Sequence, residues 1–190
     1  MKALLLNGVY PSKEFSVYEE LVINKLKNTG LEVENLKVSE HPIRYCAGCF
    51  NCWFVTPGEC VFDDYGREII KKICQSDLLI LFSVVTFGGH SSCLKKILDR
   101  CIPLVLPIIV KTSKRERHAK RYLKLPNVLG IGITCEDDNK EAGIFKKLIN
   151  SNAINFISDF STCIVINTKV HVEDASKLLD EGLKEINKWD

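Results

Sequence analysis

A chain of 190 residues, 46% of them hydrophobic, can bury a substantial core, which excludes a disordered protein and fits one domain spanning 1–190. Its 26 basic and 24 acidic side chains leave a formal charge of only +2, too even a balance to imply a nucleic-acid partner. Nine cysteines are an odd number, so a disulfide framework alone cannot account for them.

KALLL, near the start, reads as a short apolar strand ending at Asn7-Gly8. The opening lacks the length of a secretory signal, so a cytoplasmic protein is expected, and in that compartment cysteines point to metal ligation or redox chemistry. A helix is predicted from Glu14 to about Asn28, with Phe15, Tyr18, Val22 and Leu26 on one side and Gly30 closing it. LEVENLK is a half-exposed strand suited to a sheet edge. A cysteine-rich insertion at about 41–63 follows, and then a helix from Asp64 to Cys74, capped by Asp63, with Tyr65, Ile69 and Ile73 in one stripe. DLLILFS at 77–83 is apolar throughout, as a strand covered on both faces should be.

Gly88-Gly89 end that strand, and Leu94, Ile97, Leu98 and Cys101 line the next helix. CIPLVLPIIV at 101–110, interrupted by Pro103 and Pro107, is far too short to cross a bilayer. The basic run at 111–124 reads as a solvated face or dimer rim, or as a phosphate- or cofactor-facing surface. NVLGIGIT is a further buried strand, followed by a helix with Ala142, Phe145 and Ile149 in phase. CIVINT is the last strand, and a helix from about Glu173 to Lys188 closes the chain. Cys74, Cys101 and Cys163 lie among apolar neighbours and read as buried small side chains.

Strands alternating with helices imply an α/β fold with a five-stranded parallel sheet, in the order 2-1-3-4-5. Ligands of such sheets lie beyond the carboxyl ends of the strands, so the loops at 8–16, 83–90 and 134–139 are the ones to inspect. In the first, helix-start amides can cradle a phosphate, with Ser12 and Ser16 adding hydroxyls and Lys13 a charge; equally, the serines can serve only as helix caps. In the second, the amides of Thr86 to Gly89 can face the polar edge of a flavin, beside an exposed Phe87, or form an ordinary strand-to-helix turn.

Taken together, these segments resemble the NADPH-dependent FMN reductase family of flavodoxin-like proteins, and particularly its iron-sulfur flavoprotein branch. Asn7, Gly8, Val9, Tyr10, Pro11, Ser12 and Lys13 stand at the family's phosphate loop, with Val9 and Tyr10 replacing its Ser and Pro. Ser83, Val84, Val85, Thr86, Phe87 and Gly88, followed by Gly89, stand at its flavin-ring loop, with Val84 and Thr86 replacing Pro and Tyr. Leu94, Lys95, Asp99 and Arg100 match its Leu-Lys-x-x-x-Asp-Arg helix end. HAKRYLKLPNVLGIG and IFKKLINSNAIN also resemble segments of this branch. The resemblance implies bound FMN, NAD(P)H or a ferredoxin-like protein as electron donor, and a homodimer or homotetramer. Quinones, nitroaromatics, flavins or proteins would be acceptors. His90, His118 and Arg121 are candidates to meet a nicotinamide phosphate or substrate. A non-enzymatic electron carrier and a scaffold that has lost FMN are the alternatives.

Cys46, Cys49, Cys52 and Cys60 follow a Cys-x2-Cys-x2-Cys-x7-Cys spacing whose first three members have a ferredoxin-like rhythm. The resemblance assigns these four to a [4Fe-4S] cluster. Zinc and free or reversibly oxidised thiols stay open.

Overall fold

The computed structural model describes residues 1–112, 116–135 and 139–186. Its central sheet is built from β1 (Lys2–Asn7), β2 (Glu32–Lys37), β3 (Leu78–Val84), β6 (Asn127–Thr134) and β7 (Ser161–Asn167). They pair in the order β2-β1-β3-β6-β7, all parallel. Counting only the sheet strands, this is the expected 2-1-3-4-5. A hairpin of β4 (Val105–Lys111) and β5 (Glu116–Lys120), antiparallel and outside the sheet, lies between β3 and β6. Neither strand is legible in the sequence. Pro103 and Pro107 obscured the first, and the charges of ERHAK hid the second.

Side chains alternate across a strand, so each central strand feeds two cores. On one face Leu4, Leu6, Leu79 and Leu81 pack beneath α3 (Tyr65–Gln75), α4 (Ser92–Leu98) and α5 (Asn139–Asn155). On the other, Ala3, Leu5, Leu78, Ile80 and Phe82 pack beneath α1 (Lys13–Asn28) and α6 (Val172–Ile186). Tyr18, Val22 and Leu26 form the buried stripe of α1, as their spacing predicted, and Ala175, Leu179 and Leu183 form that of α6. Each such Leu, Ile or Val contributes about 1.5–3 kcal/mol by burial. β2 is one of the two edge strands, as expected, with Leu36 as its one buried side chain. The closing helix is described to Ile186; the expected last turn to Lys188 lies outside the described residues.

One cap differs from expectation. Asp64, not Asp63, caps α3, its carboxylate accepting from the Gly66 amide at 2.9 Å. Asp63 instead meets Arg67 at 3.2 Å on the surface.

Candidate functional site

The exits of β1 and β3 are tied to one another at the carboxyl edge of the sheet. The Gly8 amide donates to the Phe82 carbonyl at 2.8 Å, and the Ser91 hydroxyl donates to the Gly8 carbonyl at 2.6 Å. A Cβ at Gly8 would lie 2.6 Å from the Leu94 Cβ and 2.8 Å from the Ser91 Oγ, so close approach of the two loops requires glycine. Ser83 is buried and bonded twice, accepting from the Ser91 amide at 2.7 Å and donating to the Val84 carbonyl at 2.8 Å. Its hydroxyl braces the β3 exit against Ser91, whose own hydroxyl reaches the β1 exit.

In the first loop, Ser12 caps α1, its Oγ accepting from the Phe15 amide at 3.2 Å, which leaves its own hydrogen free to donate outward. The Ser16 hydroxyl donates to the Lys13 carbonyl at 3.0 Å and is already committed. Val9 is buried in the core, and its amide donates to the Asn7 side-chain oxygen at 3.0 Å. The side chain that replaces the family's serine therefore points away from any ligand. Asn7 is fully buried at the strand end, and its Nδ2 has no hydrogen-bond partner among the described residues. A buried amide donor left unpaired costs about 1–3 kcal/mol, so its presence at this edge favours a ligand acceptor nearby.

The second loop is a tight turn. Thr86 and Gly89 exchange amide-to-carbonyl bonds of 3.1 and 2.8 Å, while Phe87 and Gly88 have φ of 51° and 74°. Two of the four amides proposed to face a flavin thus close the turn, and those of Phe87 and Gly88 remain at its tip. Left-handed backbone at a bulky residue is strained, and here it holds the Phe87 ring 90% exposed at the sheet edge. Val85 turns inward to the core, Val84 is half-buried, and Thr86 is exposed. The third loop, 134–139, is only partly described, with 136–138 outside the described residues.

His90, next to this turn, is held inside. Its Nε2 pairs with the Asn152 amide at 2.8 Å, and its ring meets Phe145 edge-on. Burial, with a smaller effect of Lys95, pushes its pKa down to about 4, so it is a neutral core residue. Arg121 clamps the hairpin base by donating to the Pro103 carbonyl at 2.9 Å. Of the basic run, residues 113–115 lie outside the described residues. Burial pushes the Cys163 thiol up to about 12 and also raises those of Cys74 and Cys101, although all three residues, expected to be buried, are half-buried.

The cysteine segment leaves β2 at the same edge but is built against a different part of the fold. Cys46, Cys49, Cys52 and Cys60 line one small cavity, about 20 Å3, together with Phe62, Ile102, Pro103 and Arg100. The Cys52 thiol has a raised pKa, first from burial and then from the neighbouring Cys60, Cys46 and Cys49. The Gly48 amide donates toward the Cys46 sulfur at 3.5 Å. No group of three or more His, Cys, Asp or Glu among the described residues is arranged to hold a single metal ion. The four thiols therefore face a shared space without meeting at one point.

Arg100 is the staple of this segment, a role that the sequence pattern did not reveal. Only 2% exposed, it forks onto both Asp64 oxygens at 2.9 Å and reaches the Arg44 carbonyl at 2.9 Å and that of Phe62 at 3.4 Å. Burial alone would raise the Asp64 pKa, but hydrogen bonds from Arg100 and the Arg44 amide outweigh it and leave the pKa lowered. The signal available in the sequence was an arginine directly after an apolar helix stripe. Ser91 and Arg100 bracket α4, about 13 Å apart at 1.5 Å per residue, so the two candidate centres engage opposite ends of that helix.

A parallel sheet in this order, with its ligand edge at the exits of β1 and β3, defines a flavodoxin-like protein. The chain matches the model of the NADPH-dependent FMN reductase family over residues 1–121 and belongs to that family. It is 37% identical over 105 residues to an iron-sulfur flavoprotein of Methanocaldococcus jannaschii, covering 55% of this chain and 53% of that one. It is 34% identical over 84 residues to an iron-sulfur flavoprotein of Archaeoglobus fulgidus, covering 44% of this chain and 37% of the relative. The chain thus spans about half, or less, of the curated relatives it matches. Its fold is similar to that of an NAD(P)H:quinone oxidoreductase from Methanothermobacter marburgensis, with TM-score 0.65, 12% identity, and coverage of 95% of this chain and 92% of that one. It is also similar to oxidised flavodoxin 1 from Bacillus cereus, with TM-score 0.60, 10% identity, and coverage of 98% of both chains.

Proposed function

We propose that this chain is an FMN-dependent oxidoreductase, taking electrons from NAD(P)H or a reduced ferredoxin-like protein and passing them to a quinone, nitroaromatic, flavin or protein acceptor. The observation that carries this reading is the braced edge formed by Gly8, Ser83 and Ser91, with the unpaired Asn7 amide beneath it. The first amides of α1, the Ser12 hydroxyl and Lys13 would hold the FMN phosphate, aided by the helix dipole. The Phe87 and Gly88 amides would face the ring's polar edge, where donors stabilise negative charge. FMN, when bound, supplies the electron chemistry itself.

The donor set of the cysteine cavity fits a [4Fe-4S] cluster: four thiols in one space, an amide directed at sulfur, and the buried Arg100 cation to offset thiolate charge. The preference for an iron-sulfur cluster over a single zinc ion rests on the relatives named iron-sulfur flavoproteins. We place both centres in one domain spanning 1–190, with the cysteine segment as an insertion. Among the described residues no helix is long and apolar enough to cross a membrane, in keeping with a cytoplasmic setting. Ile108 and Ile109 on the hairpin are each 57% exposed and support a homodimer or homotetramer through that surface.

Equilibrium dialysis with FMN tests the reading, and one saturable site per chain is expected. No saturable uptake under either oxidising or reducing conditions would remove the assignment. Rapid bleaching of the bound flavin by NADPH would separate an enzyme from a passive electron carrier.

A further inference from the structure

A cavity of about 410 Å3 adjoins the cysteine centre and shares Phe50 and Ile102 with its walls. It lies between the hairpin and the C-terminal part of α5, among Phe50, Trp53, His118, Asn152, Asn155 and Phe156. This volume is in the range of sites for small organic ligands.

The aromatic walls are fixed in advance. The Trp53 Nε1 donates to the Val105 carbonyl at 2.9 Å and the Ile102 carbonyl at 3.1 Å, locking the indole plane. Phe50 stacks on it with centroids 5.2 Å apart, and His118 lies 5.1 Å away on a tilted plane. Phe50 is held with φ of 55° and is 45% exposed. Strained backbone that presents an aromatic ring to a pocket is a feature of binding sites.

The polar groups are few and specific. The His118 Nδ1 lies 2.9 Å from the Leu106 carbonyl, which can only accept, so Nδ1 carries the hydrogen. In the neutral ring Nε2 is therefore an acceptor. Asn155 is exposed at the rim, and the Asn152 amide is engaged by His90. Flat aromatic walls select a planar ring, and an imidazole acceptor selects a hydroxyl on that ring.

We propose that this cavity is a binding site for a planar oxygenated aromatic of the hydroquinone/quinone class, separate from the flavin edge. The ring lies against Trp53, and a ring hydroxyl donates to the His118 Nε2. The hydroquinone form binds more tightly than the quinone, because only the hydroxyl can donate. Filling the site needs neither flavin nor cluster, so its test stands apart from the flavin assignment.

The test uses the full chain carrying Trp189→Phe, leaving Trp53 as the fluorescent indole. It is titrated with tetramethylhydroquinone and tetramethyl-1,4-benzoquinone, whose fully substituted rings do not alkylate thiols. Saturable quenching at one ring per chain is expected, unchanged when FMN is present. His118→Ala should weaken hydroquinone binding roughly three- to ten-fold, as loss of one hydrogen bond does, and remove the preference over the quinone. Because His118 also ties β5 to Leu106, the exposed Asn155→Ala provides a second variant, expected to weaken binding about two-fold or more without disturbing the hairpin. Absence of saturable quenching, binding unchanged in both variants, or binding abolished by FMN would each overturn the proposal.

Discussion

The flavin edge and the cysteine segment hold their functional groups by opposite means. At the flavin edge, two parallel strands deliver their loops to fixed positions, and short bonds among Gly8, Phe82, Ser83 and Ser91 join them. The cysteine segment has little regular structure, with only the four-residue helix Asn51–Phe54 inside it. Its shape depends on the side chain of Arg100, which gathers Asp64 and the Arg44 and Phe62 carbonyls. A site on a sheet edge is distributed over many backbone bonds, whereas the cysteine loop rests on a few side chains, Arg100 with Arg67 and Trp53 beside it. The two should therefore fail separately, and the first far more gradually.

The sharpest break is Arg100→Met. Removing one partner of a buried ion pair strands the other charge, so urea unfolding should show a loss of about 3–5 kcal/mol. A loss below about 1 kcal/mol would mean that the loop is held by something else. Within the folded population, thiols of the cysteine segment should react faster with alkylating reagents while FMN uptake persists.

Next in size is a pH effect at the flavin edge. His90 titrates near 4 when folded and near 6.5 when unfolded. Between those values the unfolded chain binds the extra proton, so stability is full above pH 6.5 and falls as pH drops toward 4. The loss should approach about 3 kcal/mol. Comparing urea midpoints of the native chain and His90→Gln across pH 4–7 isolates this contribution, and parallel slopes would refute it.

Gly8→Ala should cost about 1–3 kcal/mol through overpacking against Leu94 and Ser91. It should also weaken FMN binding in dialysis by at least ten-fold while leaving the cysteine segment intact. The smallest effect is Ser12→Ala, about 1 kcal/mol for loss of the α1 cap, with a several-fold weaker FMN affinity. A cap loss with unchanged affinity would take Ser12 out of the phosphate site.

Legibility in the sequence follows the same division. LLILF at 78–82 announces a buried central strand because it is covered on both faces, and the stripe Tyr18, Val22, Leu26 announces α1. The strand order and the ligand edge follow from those periodicities. Hydrogen bonding between loops is not periodic, so nothing in the pattern showed that Ser83 is a brace, that the Ser16 hydroxyl is committed to Lys13, or that Val9 faces the core. The partnership of Asp64 with Arg100 spans 36 residues, and the neighbouring Asp63 was an equally good local cap. The β4–β5 hairpin is not legible because Pro107 interrupts the apolar run of β4, most of whose side chains are exposed or half-exposed, and the charged ERHAK of β5 has no apolar face.

The most direct test is to count both cofactors in parallel after anaerobic purification and reconstitution with iron, sulfide and FMN. The native chain should carry one FMN and about four irons with four sulfides, the content of a single cubane cluster. Cys49→Ser should lose the iron and sulfide and keep the FMN, whereas Gly8→Ala should lose FMN and keep the cluster. An iron-free native chain, or variants in which both cofactors disappear together, would contradict an account of two separately held centres on one flavodoxin-like sheet.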